Sequence, residues 1–352
     1  MKNKYIFMML SACAMVLSCQ KNNTIVQTPE ENQPVHLTLT AAIGGTDTKI
    51  SYVDEDNVLK TKWEQFDKVS VFSLDISGNV LTNDLFTATS VSADGKIAEF
   101  EGEFSNHEST ESIYVYYPAL NQGKGTEEDP WHVAPVYEGA EGVLNGVTAG
   151  KTYLTFNTAQ LQKSLVDCTS HLEQYTVLSG KAEMDEGNLL ADLEHRSYVL
   201  KVQLKLPQSG LTVKHLTISA KSEADAGVRV SGSGWTDIFS VGAFPGGWDT
   251  SYLINFGTDY AYGSGTGLIV EGESLTTYIV AFAGQSWDYE AQETTWYHLT
   301  SGDYFSFTLN ATTDGSDSYI CTLDKLEIPK DVVLENGKMY RLSATLEKKQ
   351  AE

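Results

Sequence analysis

Apolar and polar residues alternate from the first ordered-looking stretch of the chain. In residues 35–43, Val35, Leu37, Leu39, Ala41 and Ile43 take every second place, with His36, Thr38, Thr40 and Ala42 between them. A period of two sends successive side chains to opposite faces of a strand, so the first set is turned to a core and the second to solvent. Gly44-Gly45 ends the run. Strands are likewise predicted over 68–76 (KVSVFSLDI), 97–104 and 113–117, the last stopping at Pro118. The cleanest alternation is 198–206, where Tyr198, Leu200, Val202, Leu204 and Leu206 oppose Val199, Lys201, Gln203 and Lys205. Further strands are predicted over 213–219, 252–256, 275–282, 304–309 and 338–346, and 277–284 (TYIVAFAG) has the near-continuous apolar pattern of a strand covered on both faces. In the last strand Tyr340, Leu342, Ala344 and Leu346 point inward, after an Asn336-Gly337 pair that signals a type I′ turn with positive φ at both residues. A short helix is predicted around 158–165, and 121–147 reads as a long surface loop.

Strands at this spacing, with no helical stripe of any length between them, predict an all-β protein of two tandem antiparallel β-sandwich domains. A length of 352 residues suits two domains, and 41% hydrophobic residues suffice for real cores. The polar stretch 185–195 sets the boundary, giving an N-terminal domain over 35–192 and a C-terminal one over 193–352. Trp63 is assigned to the first core.

The N-terminus decides where the chain goes. Met1-Lys2-Asn3-Lys4 is basic, and 5–18 is an uncharged apolar run, shorter than the roughly 20 residues that span a bilayer and suited to an export signal. It ends in Val16-Leu17-Ser18-Cys19 before polar Gln20-Lys21, which resembles a bacterial lipobox; 1–18 is then the leader and Cys19 the lipid acceptor. Leu10-Ser11-Ala12-Cys13 competes, but cutting there leaves Met15-Val16-Leu17 on the mature chain. Residues 19–34, with Pro29 and Pro34, read as a polar tether. A formal charge of −23 argues against nucleic acid as a partner and against an anionic membrane surface. Cys168 and Cys321 are too far apart in sequence to suggest a metal knuckle; an exported chain allows a disulfide between them or two buried thiols.

Several segments, taken in order, resemble the fimbrillin family of pilus subunits. They are Thr48-Lys49-Ile50-Ser51-Tyr52, then Trp63-Glu64-Gln65-Phe66-Asp67-Lys68, then Ile113-Tyr114-Val115-Tyr116-Tyr117-Pro118, then Leu193 through Val202, and lastly Leu334-Glu335-Asn336-Gly337-Lys338-Met339-Tyr340. The resemblance implies transthyretin-like sandwiches, an outer-membrane lipid anchor through Cys19, a place on the cell surface or in a pilus, and assembly with other pilus subunits into a homo- or hetero-polymer. In that family an N-terminal strand is cut away and a neighbour's strand fills the groove, a form of strand addition. The candidates here are Val35, Leu37, Leu39, Ala41 and Ile43 for the removable strand, and Tyr340, Leu342, Ala344 and Leu346 for the donor. Two departures matter. Phe66 stands where the family most often has glycine, and the first arginine is Arg196, so an arginine-specific protease cannot release the first strand. Either another protease acts, at Lys21 or Lys49, or the strand is retained as in an anchoring or accessory subunit.

Chemistry is sparse. His107-Glu108 is followed by Glu111 where H-E-x-x-H needs histidine, there is no G-x-S-x-G or P-loop, and Gly263-Ser264-Gly265-Thr266-Gly267 fails the dinucleotide pattern at Leu268. Asp54-Glu55-Asp56-Asn57 lacks the glycine and glutamate of a calcium loop, with Leu59 and Gln65 in their places, and reads as a hairpin turn. No catalytic residue, metal or cofactor is predicted, and the chain reads as no enzyme. The rival reading is a monomeric surface lipoprotein that binds a glycan or host receptor through Trp235, Trp248, Trp287 and Trp296; against it stands packing of the same rings under long loops.

Overall fold

The computed structural model describes residues 34–43, 53–55, 58–77, 80–105, 108–119, 144–147, 153–156, 159–237, 247–258, 265–288, 293–313 and 317–349. The leader, Cys13, Cys19 and the tether as far as residue 33 lie outside them, as does most of the long loop. Apart from a 3-10 turn at Leu172–Tyr175, the regular elements are strands. The protein is all-β.

The chain's first described strand is β1 (Val35–Ile43), followed by the antiparallel pair β2 (Val53–Glu55) and β3 (Val58–Lys60). Next come β4 (Lys68–Leu74), β5 (Val80–Val91), β6 (Ile97–Phe104) and β7 (Ser112–Tyr117). It then crosses to the second body for β8 (Leu144–Val147), β9 (Tyr153–Phe156) and β10 (Ala159–Gln162), and returns for β11 (Leu178–Asp185) and β12 (Asn188–His195). The first body closes on itself in the order β1-β12-β11-β7-β4-β5-β6. The predicted sandwich is here a hydrogen-bonded barrel, because β1 runs antiparallel to β6 on one side and parallel to β12 on the other, joining what would be two open edges. Trp63, Phe86, Phe100, Tyr117, Leu178 and Leu193 are among the side chains that fill it. Trp63 meets Phe100 and Tyr117 edge-on at 5.0 and 5.7 Å between ring centroids, as its assignment to this core required.

Two predictions fail here for physical reasons. The polar stretch at 185–195 is a barrel strand: Leu189, Ala191, Leu193 and His195 face inward while Asn188, Leu190, Asp192 and Glu194 face out. Glu186 and Gly187, at φ 48° and 87°, make the turn from β11. The expected boundary between 192 and 193 therefore falls inside β12, whose charged outer face gave it the look of a linker. The predicted helix near 158–165 is β10. Its backbone pairs in parallel with residues 253–256, and Gln160, Leu161 and Gln162 are all buried, so pairing with a distant strand overrides local preference.

The second body continues with β13 (Tyr198–Lys205), β14 (Leu211–Lys221), β15 (Ser231–Asp237), β16 (Gly247–Asp249), β17 (Ser251–Phe256), β18 (Leu268–Val270) and β19 (Ser274–Ala281). Then follow β20 (Gln285–Asp288), β21 (Glu293–Trp296), β22 (His298–Leu299), β23 (Tyr304–Thr313), β24 (Asp317–Glu327), β25 (Val332–Val333), β26 (Met339–Thr345) and β27 (Glu347–Lys348). One sheet has the order β19-β13-β26, and a larger one β10-β17-β14-β23-β24-β27 with β18 beside β14. Side chains of both sheets share one hydrophobic cluster, from Leu200, Val202 and Ile279 to Leu216, Ile254 and Phe307. Inside it the Tyr198 hydroxyl donates to the Val230 carbonyl and lies 2.7 Å from the Tyr252 hydroxyl. A separate sheet, β16-β15-β9-β8, uses strands from both sides of the crossing, so part of the predicted first domain is built into the second body. Cys168 and Cys321 are not joined in a disulfide.

Candidate strand-exchange site and aromatic surface

The inward residues of β1 are those its alternation predicts. Leu39, Ala41 and Ile43 are buried, Leu37 packs against the same core, and Val35 at the start of the strand is half exposed. Both edges of β1 are occupied: Val35 to Ala42 pair with Phe104 back to Ile97, and Leu39 to Ile43 pair with Leu189 to Leu193. Burying a Leu or Ile side chain is worth roughly 1.5–3 kcal/mol, so β1 holds the barrel shut by apolar area as well as by its two hydrogen-bonded ladders.

β26 has the opposite status. It runs parallel to β13 from Met339 opposite Val199 to Thr345 opposite Lys205, and it stands at the end of its sheet. Tyr340 meets Tyr198 edge-on at 5.5 Å, Leu342 and Ala344 pack against the core, and Leu346 is buried. The Tyr340 hydroxyl accepts from the Glu335 N–H at 2.9 Å and donates to the Val333 carbonyl at 2.7 Å, which pins the chain before the strand. The Asn336-Gly337 turn is not type I′: Gly337 has φ 74°, but Asn336 is not in the left-handed region. Its side-chain oxygen accepts from the Ala283 N–H at 3.0 Å, and the Gly337 N–H donates to the Ser197 carbonyl at 2.7 Å. The turn steers the chain into a parallel pairing with β13, whereas a type I′ turn joins antiparallel neighbours.

The aromatic candidates separate. Trp296 is partly buried and packs on the second core. Trp248 is 49% exposed, and the Arg229 guanidinium lies 4.5 Å from its ring centroid. Trp235 and Trp287 are on β15 and β20, and their side chains lie outside the described residues. The guanidinium over Trp248 was not anticipated; Arg229 and Trp248 are neighbours only because β15 and β16 pair. Among the described residues no group of three or more His, Cys, Asp or Glu is placed to hold a metal ion.

One more departure in the sequence has a structural form. Phe66, at the position where fimbrillins favour glycine, has φ 73° and is 70% exposed. That backbone conformation suits glycine and strains a bulky residue. Beside it, burial raises the Asp67 carboxyl to about 7 against the opposing hydrogen bond from the Glu64 N–H at 2.7 Å.

No family model matches the sequence, and no curated protein does. Solved structures from Bacteroides are similar in part. A candidate cell adhesion protein of Bacteroides ovatus is 14% identical over 91% of this chain and 96% of that one, with a TM-score of 0.38. Another, of Bacteroides eggerthii, is 11% identical over 90% and 86%, with a TM-score of 0.36. A fimbrial protein of Bacteroides ovatus is 13% identical over 89% of this chain but 49% of its own, with a TM-score of 0.30.

Proposed function

We propose that this chain is a subunit of a cell-surface fimbria, lipid-anchored to the outer membrane through Cys19, that joins other pilus subunits by strand exchange and is no enzyme. The observation that supports it is a match between the two terminal strands. β1 turns Leu39, Ala41 and Ile43 inward, and β26 with the residue after it turns Leu342, Ala344 and Leu346 inward, each a large, small, large series. Each strand also runs parallel to a partner, β1 to β12 and β26 to β13. A β26 from a neighbouring subunit would therefore fill the place of β1 with the same volumes at the same period, while main-chain hydrogen bonds to β6 and β12 supply affinity. With Arg196 the first arginine, retention of β1 suits an anchoring or accessory subunit, whose own barrel stays shut while its β26 engages the next subunit.

The test is immunogold electron microscopy of producing cells, against a deletion strain and a strain whose chain ends after Asp331. Gold along or at the ends of filaments that are lost or altered in both strains supports the reading. Label confined to the envelope with unaltered filaments sinks it, and filaments unchanged by the truncation alone remove β26 as donor.

A further inference from the structure

Trp248 and Arg229 sit on a rigid frame. β15 and β16 pair with Gly232 opposite Trp248 and Ser231 opposite Asp249, and the Val230 N–H donates to the Asp249 carbonyl at 3.0 Å. Val230 is wholly buried in the second core, so Arg229 stands at the surface beside an anchored strand. Its guanidinium is held over the indole at 4.5 Å, and among the described residues it has no carboxylate within ion-pair distance, in a chain with 47 acidic residues. Tyr297 is close enough to feel the same charges: burial raises its phenol, Arg229 opposes that, and Asp249 adds to it. A guanidinium carries a planar fork of N–H donors, and that fork matches a carboxylate. The exposed part of the indole offers an apolar face of the kind that the C–H face of a pyranose fits.

We propose that Trp248 and Arg229 form a binding site for a carboxylated sugar, a uronic or nonulosonic acid, with the pyranose against the indole and the carboxylate in the guanidinium fork. The net charge of −23 repels a polyanion as a whole, so the fitting ligand is an acidic residue within a mainly neutral glycan. The site goes beyond strand exchange and does not depend on it.

The experiment titrates the full chain with glucuronate, N-acetylneuraminate, glucose and acetate, followed by indole fluorescence and ligand-observed saturation-transfer NMR. Saturable binding of at least one acidic sugar is expected, with glucose and acetate weaker by about tenfold or more, since each lacks one of the two contacts. Which acidic sugar binds tells the uronic from the nonulosonic source. Arg229→Gln is expected to weaken binding by about tenfold or more, and Arg229→Lys not to restore it, because an ammonium lacks the planar fork. Trp248→Ala is expected to weaken binding with an unchanged melting temperature. Arg229 is exposed, so Arg229→Gln decides the matter even if Trp248→Ala fails to fold. Failure of both acidic sugars to saturate, binding of acetate as tight as that of the sugar, or unaltered binding by Arg229→Gln would overturn the proposal.

Discussion

The side chain of Gln160 pairs with Val280 as a neighbouring strand would. Its amide oxygen accepts from the Val280 N–H at 2.9 Å and its amide nitrogen donates to the Val280 carbonyl. Among the described residues β19 pairs with β13 on one side, and on the other its backbone is met by side chains from the segment that crosses between the bodies. His171 Nε2 lies 2.8 Å from the Tyr278 carbonyl oxygen, and beside it the Thr277 hydroxyl donates to the Gln162 side-chain oxygen at 2.6 Å. An edge strand that would invite pairing is thereby closed off. Gln160→Leu is expected to leave a buried N–H and carbonyl without partners and to cost about 1–3 kcal/mol. Urea unfolding should show a lower midpoint with an unchanged slope; an unchanged midpoint would mean that water or another side chain takes over.

Phe66 offers the reverse effect. Its left-handed backbone is held by an N–H bond to the Ala88 carbonyl at 3.1 Å, while its ring is mostly in solvent, so little packing is at stake. Phe66→Gly is expected to stabilise the protein by roughly 0.5–1 kcal/mol, the relief of strain being partly offset by the greater freedom of glycine in the unfolded chain. A lower melting temperature in the variant would show that the ring contributes contacts of its own.

Barrel closure can be tested at Gly180 in β11. A Cβ there would lie 2.0 Å from the Asp192 carbonyl oxygen of β12, a backbone atom that cannot swing aside. Gly180→Ala is expected to destabilise by about 1–3 kcal/mol or more, as overpacking does. Gly187→Ala, in the open turn with nothing within 4 Å, should lose only what its φ of 87° demands, about 1 kcal/mol. Equal thermal shifts for the two variants would count against the tight β11–β12 approach.

Acid should weaken the fold through two histidines. Burial lowers His171 to about 4, with the Tyr278 carbonyl opposing, and lowers His195 to about 3, against an ordinary 6.5. Below 6.5 the unfolded chain binds protons on these rings that the folded chain refuses. Their contribution is therefore complete above about 6.5 and falls as pH drops toward 4 and 3, each by up to about 1.4 kcal/mol per pH unit. Asp67 acts in the other direction: raised from 3.8 to about 7, it keeps a proton in the fold, so its contribution is complete below 3.8 and lost as pH rises to 7. In urea titrations His171→Gln and His195→Gln should each flatten the acid side of the stability profile. Asp67→Asn should raise stability at pH 7 and above while changing little near pH 3.5, and a uniform shift at all pH values would rule out titration as the cause.

The sequence by itself determined which residues face the cores. In β1, β13 and β26 alternation assigned Leu39, Val202 and Leu342 to the inside, because a strand's two faces follow from a period that neighbouring residues alone define. It also marked Trp63 as a core residue. Tertiary structure alone decided the rest. A charged outer face hid β12, two glutamines hid β10, and neither pattern says which distant strand will accept the chain. Ring closure through a parallel β1–β12 pair, the Gln160–Val280 bond and the stacking of Arg229 on Trp248 all join residues far apart in sequence. Such contacts depend on which backbone edges and surface positions the completed sheets bring together, and local periodicity carries no record of that.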